Sequence, residues 1–247
     1  MDPDVLLGRV EKGLWAPLPG IPAQLSMVPE PRPGHKAYFE VEDTSLKAGV
    51  LILLYNRAGR LQVLLTRRTE HVLHHRGQIS LPGGEQHPGE SLEATALRET
   101  AEELGPDLGA VRVLGRLTPL FIPPSNYCIY PTVAYIAGSP EFHPQPEEVA
   151  EVIEVPVDHL ANPANIRRET WSLGGRDIEV PFYEFEGHKI WGATAMVLAE
   201  FLALLDSGRG PGLARGSTSA VLARGYKSRA SDEPKARPLT ARNSRRP

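Results

Sequence analysis

Cysteine is nearly absent from these 247 residues: Cys128 is the only one. A single thiol excludes an internal disulfide and a cysteine-rich zinc site, and it fits a reducing compartment, so a cytoplasmic protein is expected. Long apolar runs are missing too. The longest, Ala48 to Tyr55, falls far short of the roughly 20 residues a bilayer-spanning helix needs, so no membrane association is expected. The N-terminal Met1-Asp2-Pro3-Asp4 is acidic and lacks the basic-then-apolar pattern of a secretory signal. Glycine (23) and proline (24) stay below the share that marks a low-complexity chain. What remains is 41% hydrophobic, enough to bury one sizeable core.

Charge is separated along the chain. Residues 207–247 hold ten Lys or Arg against two acids, a net of +8; with a whole-chain charge of -3, the remainder carries -11. An acidic body argues against nucleic acid as a partner. The basic stretch has few core-forming residues and reads as a disordered, solubilising tail. Three regions follow: an N-terminal extension over 1–44, partly Pro-rich; one folded domain over 45–206; and the tail over 207–247.

Periodicity and breakers give a coarse layout. Residues 4–15 suit a short helix. Residues 16–34, interrupted by Pro17, Pro19, Pro22, Pro29, Pro31 and Pro33, read as irregular. Segments 49–55 and 61–66 are apolar and joined by Asn56-Arg57-Ala58-Gly59-Arg60, which predicts a hairpin. Residues 67–81 read as a basic loop that ends in Pro82-Gly83-Gly84. A helix is predicted over Leu92 to Leu104, stopped by Gly105-Pro106. Further strands are expected near 111–117, 129–137, 150–155, 169–173 and 178–186, and a buried apolar helix over Thr194 to Leu205. Strands mixed with a few helices predict an α/β or α+β layered domain.

The central helix carries the chemistry. At about 100° per residue, Arg98, Glu99, Glu102 and Glu103 share one polar arc, while Leu97, Ala101 and Leu104 share a face that would meet the core. Like charges at these spacings repel by a few tenths of a kcal/mol per pair, which an exposed helix tolerates. The register upstream adds the decisive pattern: Gly84, five residues, Glu90, seven residues, then Arg98-Glu99-Thr100-Ala101-Glu102-Glu103-Leu104-Gly105. This resembles the Nudix box, with every fixed glycine and charge in place. Thr100 and Pro106 depart from it, both at positions where an aliphatic residue is usual.

The resemblance implies a Nudix-type α/β/α sandwich with a mixed β-sheet in a single domain. It also implies a pyrophosphatase whose catalytic set is Arg98, Glu99, Glu102 and Glu103. A pyrophosphate is polyanionic, so carboxylates alone would repel it; a hard divalent cation such as Mg²⁺ or Mn²⁺ resolves the conflict by bridging carboxylate and phosphate oxygens. In the family, metal is held at the Gly84 position and by helix glutamates. Glu99 and Glu103 are then implied as primary ligands, Glu102 as a further ligand or water-positioning base, and Arg98 as the group that orients a glutamate. Glu90 would support the loop or join the metal network, the alternative being a solvated acid at a helix start. Glu148 is a candidate base from outside the box, the alternative being an exposed acid ahead of a strand.

A second pattern narrows the substrate. Leu64-Leu65-Thr66-Arg67-Arg68-Thr69, Gly77 and Leu81-Pro82-Gly83-Gly84 are similar to the signature of the coenzyme A pyrophosphatase branch, with Arg68 and Gly77 in register. Leu73 stands where that signature has a second arginine, and His74, His75 and Arg76 lie beside it. Ile190 to Ala195 and Glu147-Glu148-Val149 also resemble the branch. The resemblance implies Arg67, Arg68, Arg76 and Gly83 as substrate-binding residues and coenzyme A or an acyl derivative as substrate. The products would be 3′,5′-ADP and 4′-phosphopantetheine. An ADP-ribose or NADH pyrophosphatase and a non-catalytic nucleotide-binding module are the alternatives. A homodimer is left open. Trp171 and Trp191 read as core rather than as adenine-stacking residues.

Overall fold

The protein is described from a computed structural model over residues 1–30, 45–70, 77–105, 108–173 and 175–206. Leu73, His74, His75 and Arg76, and the tail 207–247, lie outside the described residues. In chain order the elements are α1 (Pro3–Trp15), α2 (Gly20–Gln24), β1 (Leu46–Arg57), β2 (Arg60–Arg68), β3 (Ile79–Ser80), β4 (Gly83–Glu85), α3 (Leu92–Leu104), β5 (Val111–Arg116), β6 (Leu120–Ile122), β7 (Tyr127–Ile136), β8 (Val149–Pro156), α4 (Val157–Leu160), β9 (Ile166–Leu173), β10 (Arg176–Phe185), β11 (His188–Trp191) and α5 (Gly192–Leu204).

The apolar run becomes the central strand, and Leu51 to Tyr55 are fully buried because β1 is covered on both faces. β7 runs parallel to β1, while β2 and β4 pair with it antiparallel, so the sheet is mixed. β1 and β2 are in register only from Leu54↔Val63 to Arg57↔Arg60. Beyond that they part, and the segment from Ile79 to Glu85 fills the fork, β3 pairing with β2 and β4 with β1. This fork holds the glycine turn. β8 pairs with β2, β5 and β6 pair with β7, and β9 to β11 form a separate three-stranded sheet.

Alternation along the strands sorts the core into two layers. Leu51, Leu53, Tyr55 and Leu64 meet Ala96 and Leu104 of α3. Ile52, Leu54, Val63 and Leu65 meet Leu6 and Val10 of α1 and Val197 and Phe201 of α5. Helix, sheet and helix thus stack as an α/β/α sandwich. No helix among the described residues is long and apolar enough to cross a membrane.

Two expectations fail for physical reasons. Residues 16–34 are not uniformly irregular: α2 and a 3₁₀ turn over Leu25–Met27 lie within them. Pro19 precedes α2 and Pro22 falls in its first turn, where an N–H would have no intrahelical acceptor anyway. Residues 67–81 are not all loop: Arg67 and Arg68 finish β2, and Ile79–Ser80 pair back onto it.

The N-terminal residues are stitched to the domain by one buried acid. Glu200 is fully buried in α5. Its carboxylate accepts hydrogen bonds from Gln24 Nε2 (2.8 Å), the Thr118 hydroxyl (2.6 Å) and the Gly20 amide (3.1 Å). A buried charge is stable only with such partners, so α2 and the residues before β6 are tied through it.

Candidate active site

Helix α3 is placed by caps at both ends. Ser91 accepts from the Ala94 amide (3.1 Å), and Gly105 takes the left-handed conformation (φ 62°) that ends the helix. The helix lies unusually close to β1 at Gly49, where an added Cβ would stand 2.3 Å from the Leu92 carbonyl oxygen. Close approach rotates small residues inward. The buried positions are Thr95, Ala96, Thr100, Glu103 and Leu104, whereas Leu97 and Ala101, expected at the core, are half-buried. The Thr100 hydroxyl donates to the Ala96 carbonyl (2.7 Å), which satisfies the polar group that replaces an aliphatic one. The expected single polar arc is split as a result: Glu103 is inside and Glu102 is exposed.

Arg98 organises the acids around it. Its guanidinium makes a two-pronged contact with Glu90 (2.9 and 3.1 Å) and donates to Glu99 Oε1 (2.8 Å) and Glu102 Oε2 (2.9 Å). It also donates to the Glu85 carbonyl (3.2 Å), next to the glycine turn. Glu90 further accepts from the Thr95 hydroxyl (2.8 Å), and hydrogen bonding by Arg98 holds its carboxyl down at about 2. Glu90 therefore braces the loop that precedes α3. Glu99 lies directly against the turn: a Cβ on Gly84 would come 2.4 Å from its Oε2.

Glu103 is the exceptional group. Burial pushes its carboxyl up to about 8, with the charges of Glu148 and Glu99 adding to the rise. Arg68 at 3.8 Å and a hydrogen bond from the Gly83 amide oppose that shift. Its Oε2 is buried without a hydrogen-bond partner. Gly83 can deliver its amide only because it lacks a side chain; its φ is 149°, and a Cβ would fall 2.3 Å from the Gly49 carbonyl oxygen.

Glu99, Glu103, Gly83, Gly84 and Arg68 thus converge beside the fork between β1 and β2. Glu102 sits on the outer, Arg98 side of them. Arg67 alternates to the opposite face, where Glu151 holds it (2.9 Å) together with His188 (3.4 Å from Glu151). Trp171 and Trp191 pack edge to face at 5.0 Å. Sequence reasoning gave no role to Gly49, whose signal was a glycine inside an apolar strand, and none of its own to Thr69 beyond its place in the signature, although its buried hydroxyl donates to the Glu147 carbonyl.

Among the described residues, no three carboxylate, imidazole or thiolate groups already stand close enough to share an ion. The donor set nevertheless suits a hard divalent cation. The orphaned Glu103 Oε2, the Glu99 carboxylate in the space an alanine at position 84 would take, and the adjoining backbone carbonyl are all oxygen donors. An uncompensated buried carboxylate is costly, and a cation beside it removes that cost.

A family profile for the NUDIX domain matches residues 45–173, more than half of the chain. The chain belongs to the Nudix family. It is 33% identical over 176 residues to the Nudix hydrolase NudL of Photorhabdus laumondii, covering 71% of this chain and 89% of that protein. It is 30% identical over 202 residues to Nudix hydrolase 3 of Caenorhabditis elegans, covering 74% of this chain and 82% of that one. Among solved structures it is similar to the MutT protein of Methanosarcina mazei (17% identity, 68% of this chain and 99% of that chain, TM-score 0.43). As a Nudix hydrolase it is an enzyme that cleaves pyrophosphate linkages, chemistry that Nudix enzymes perform with divalent cations.

Proposed function

We propose that this Nudix hydrolase cleaves the diphosphate bond of coenzyme A or acyl-coenzyme A, releasing 3′,5′-ADP and the (acyl-)4′-phosphopantetheine. The observation that carries the reading is the placement of Arg68. The coenzyme A-type signature runs along β2 and enters the glycine turn through β3, and it sets this guanidinium 3.8 Å from Glu103. A cation there can meet a substrate phosphate at the edge of the acid cluster. A small-molecule nucleotide derivative is the partner, and the buried free thiol of Cys128 suits a cytoplasmic setting.

Glu99, Glu103 and the Gly84 carbonyl would hold the cation, Mg²⁺ or Mn²⁺. Bound there, it neutralises phosphate charge and favours ionisation of water. The remaining work falls to the chain itself. A water oxygen forms a bond to one phosphorus, the bridging P–O bond breaks, and the bridging oxygen leaves with the other phosphate. We assign the water proton to Glu148, whose charge is close enough to Glu103 to perturb it. Arg68 steadies the phosphate oxygens. Arg98 touches none of the reacting atoms; it is a positioning residue that keeps Glu99 and Glu102 from drifting.

The test is a substrate panel of coenzyme A, ADP-ribose, NADH and dinucleoside polyphosphates with Mn²⁺, the products being separated chromatographically. The proposal expects 3′,5′-ADP from coenzyme A as the fastest reaction. Cleavage of ADP-ribose or NADH with coenzyme A untouched would overturn the substrate assignment and leave the hydrolase.

A further inference from the structure

Glu148 sits in a connection, not on a rigid element, between the end of β7 at Ile136 and the start of β8 at Val149. A base on a loop works only if its backbone is pinned. On the α3 side the pinning is by main chain: the His143 amide donates to the Leu104 carbonyl (2.7 Å) and the Gln145 amide to the Glu103 carbonyl (2.8 Å). Two amides, those of Glu148 (3.1 Å) and Val149 (2.9 Å), then close onto the Gln145 carbonyl. These bonds form with any side chains. On the β2 side, a side chain takes part. Thr69 is 6% exposed, its amide donates to the Glu148 carbonyl (3.0 Å), and its hydroxyl donates to the Glu147 carbonyl (2.8 Å).

A register shift makes this contact available. β2 and β8 pair Arg67 with Glu151 but Arg68 with Val149, so Ala150 is passed over. Such a bulge re-aims the residues beyond it. Glu147 and Glu148 are brought against Thr69, one residue after the Arg68 that faces Glu103.

We propose that Thr69 is a positioning residue: its hydroxyl and amide together clamp the Glu147–Glu148 backbone and so set where the Glu148 carboxylate meets the site. The inference rests on the assignment of Glu148 as the base, and the experiment separates the two. Thr69→Val keeps the shape and loses the donor; Thr69→Ser keeps the donor. Both are compared with Glu148→Gln and with Thr69→Val,Glu148→Gln, using whichever diphosphate the wild-type enzyme cleaves in the panel.

Thr69→Val is expected to lower kcat roughly 10-fold with KM near the wild-type value. Thr69→Ser should restore it, and Thr69→Val should cause no further loss once Glu148 is already Gln. In the metal-free protein, amide exchange at 147–149 should rise in Thr69→Val and not in Thr69→Ser. If Glu148→Gln keeps full kcat, the base assignment falls and this inference with it. If Glu148→Gln is crippled but Thr69→Val costs the same in both backgrounds, or costs nothing, the base stands and the clamp is refuted.

Discussion

Glu103→Gln should change the stability of the metal-free protein in a pH-dependent way. The carboxyl of Glu103 lies near 4.5 in an unfolded chain and is pushed up to about 8 by burial in the folded one. The folded state thus prefers the proton. The associated stability is fully present below pH 4.5 and is lost as pH rises through the folded value of about 8. Between pH 5 and pH 8 the wild-type protein should lose about 3 to 4 kcal/mol that the amide variant does not. For a folded unit of this size, that corresponds to a relative Tm change of roughly 6–16 °C. Thermal unfolding of both proteins at several pH values, with a chelator present, measures it. Fixed costs of the amide, such as an unmatched N–H, cancel in the pH difference. Parallel curves for the two proteins would show that Glu103 is not buried as a strained acid, and the reasoning about its orphaned oxygen would fail.

Gly84→Ala should cost at least about 100-fold in turnover while leaving Tm within a few degrees, because its Cβ meets the movable end of Glu99 at 2.4 Å. Gly49→Ala should instead destabilise by about 1–3 kcal/mol, since its Cβ meets the Leu92 carbonyl oxygen at 2.3 Å and helix and strand would have to separate; chemical denaturation of the two variants distinguishes them. Arg98→Lys should lower kcat about 10- to 100-fold, because one ammonium cannot serve Glu90, Glu99 and Glu102 at once. Glu200→Ala should cost about 3–5 kcal/mol by stranding Gln24 and Thr118, with kcat per folded molecule unchanged; urea unfolding and active-site titration check the two halves.

How much of this could be read in the sequence depends on the range of the interaction that fixes each part. α3 was legible because its stop, Gly105-Pro106, and its spaced acids are local signals. The strands β1 and β2 were legible as largely apolar segments joined by a turn-prone stretch, Asn56 to Arg60. The two-residue β3 and the three-residue β4 and β6 were not, since strands that short carry no period and exist only because longer neighbours offer them hydrogen bonds. The buried stripe of α3 was misplaced at Leu97 and Ala101: leucines marked the expected face, whereas the close approach at Gly49 turns Thr95 and Ala96 toward the strand. The separation of Glu102 from Glu103 follows from that rotation. Arg67 looked like a phosphate ligand beside Arg68, and only the pairing of β2 with β8 shows that adjacent strand residues face opposite ways, one to Glu151 and one to Glu103. The irregular reading of 16–34 overlooked that proline is harmless in the first turn of a helix such as α2.

The role proposed for the carboxylates of Glu99 and Glu103 is to hold a divalent cation against a diphosphate. Its most direct measurement is the rate of diphosphate cleavage as a function of free Mn²⁺, set with a chelating buffer, for the wild type and for Glu99→Gln,Glu103→Gln. A saturable rise from no activity is expected in the wild type and a flat, near-zero line in the variant that keeps its fold. Undiminished cleavage by the variant, or by the wild type with the metal stripped away, would contradict it.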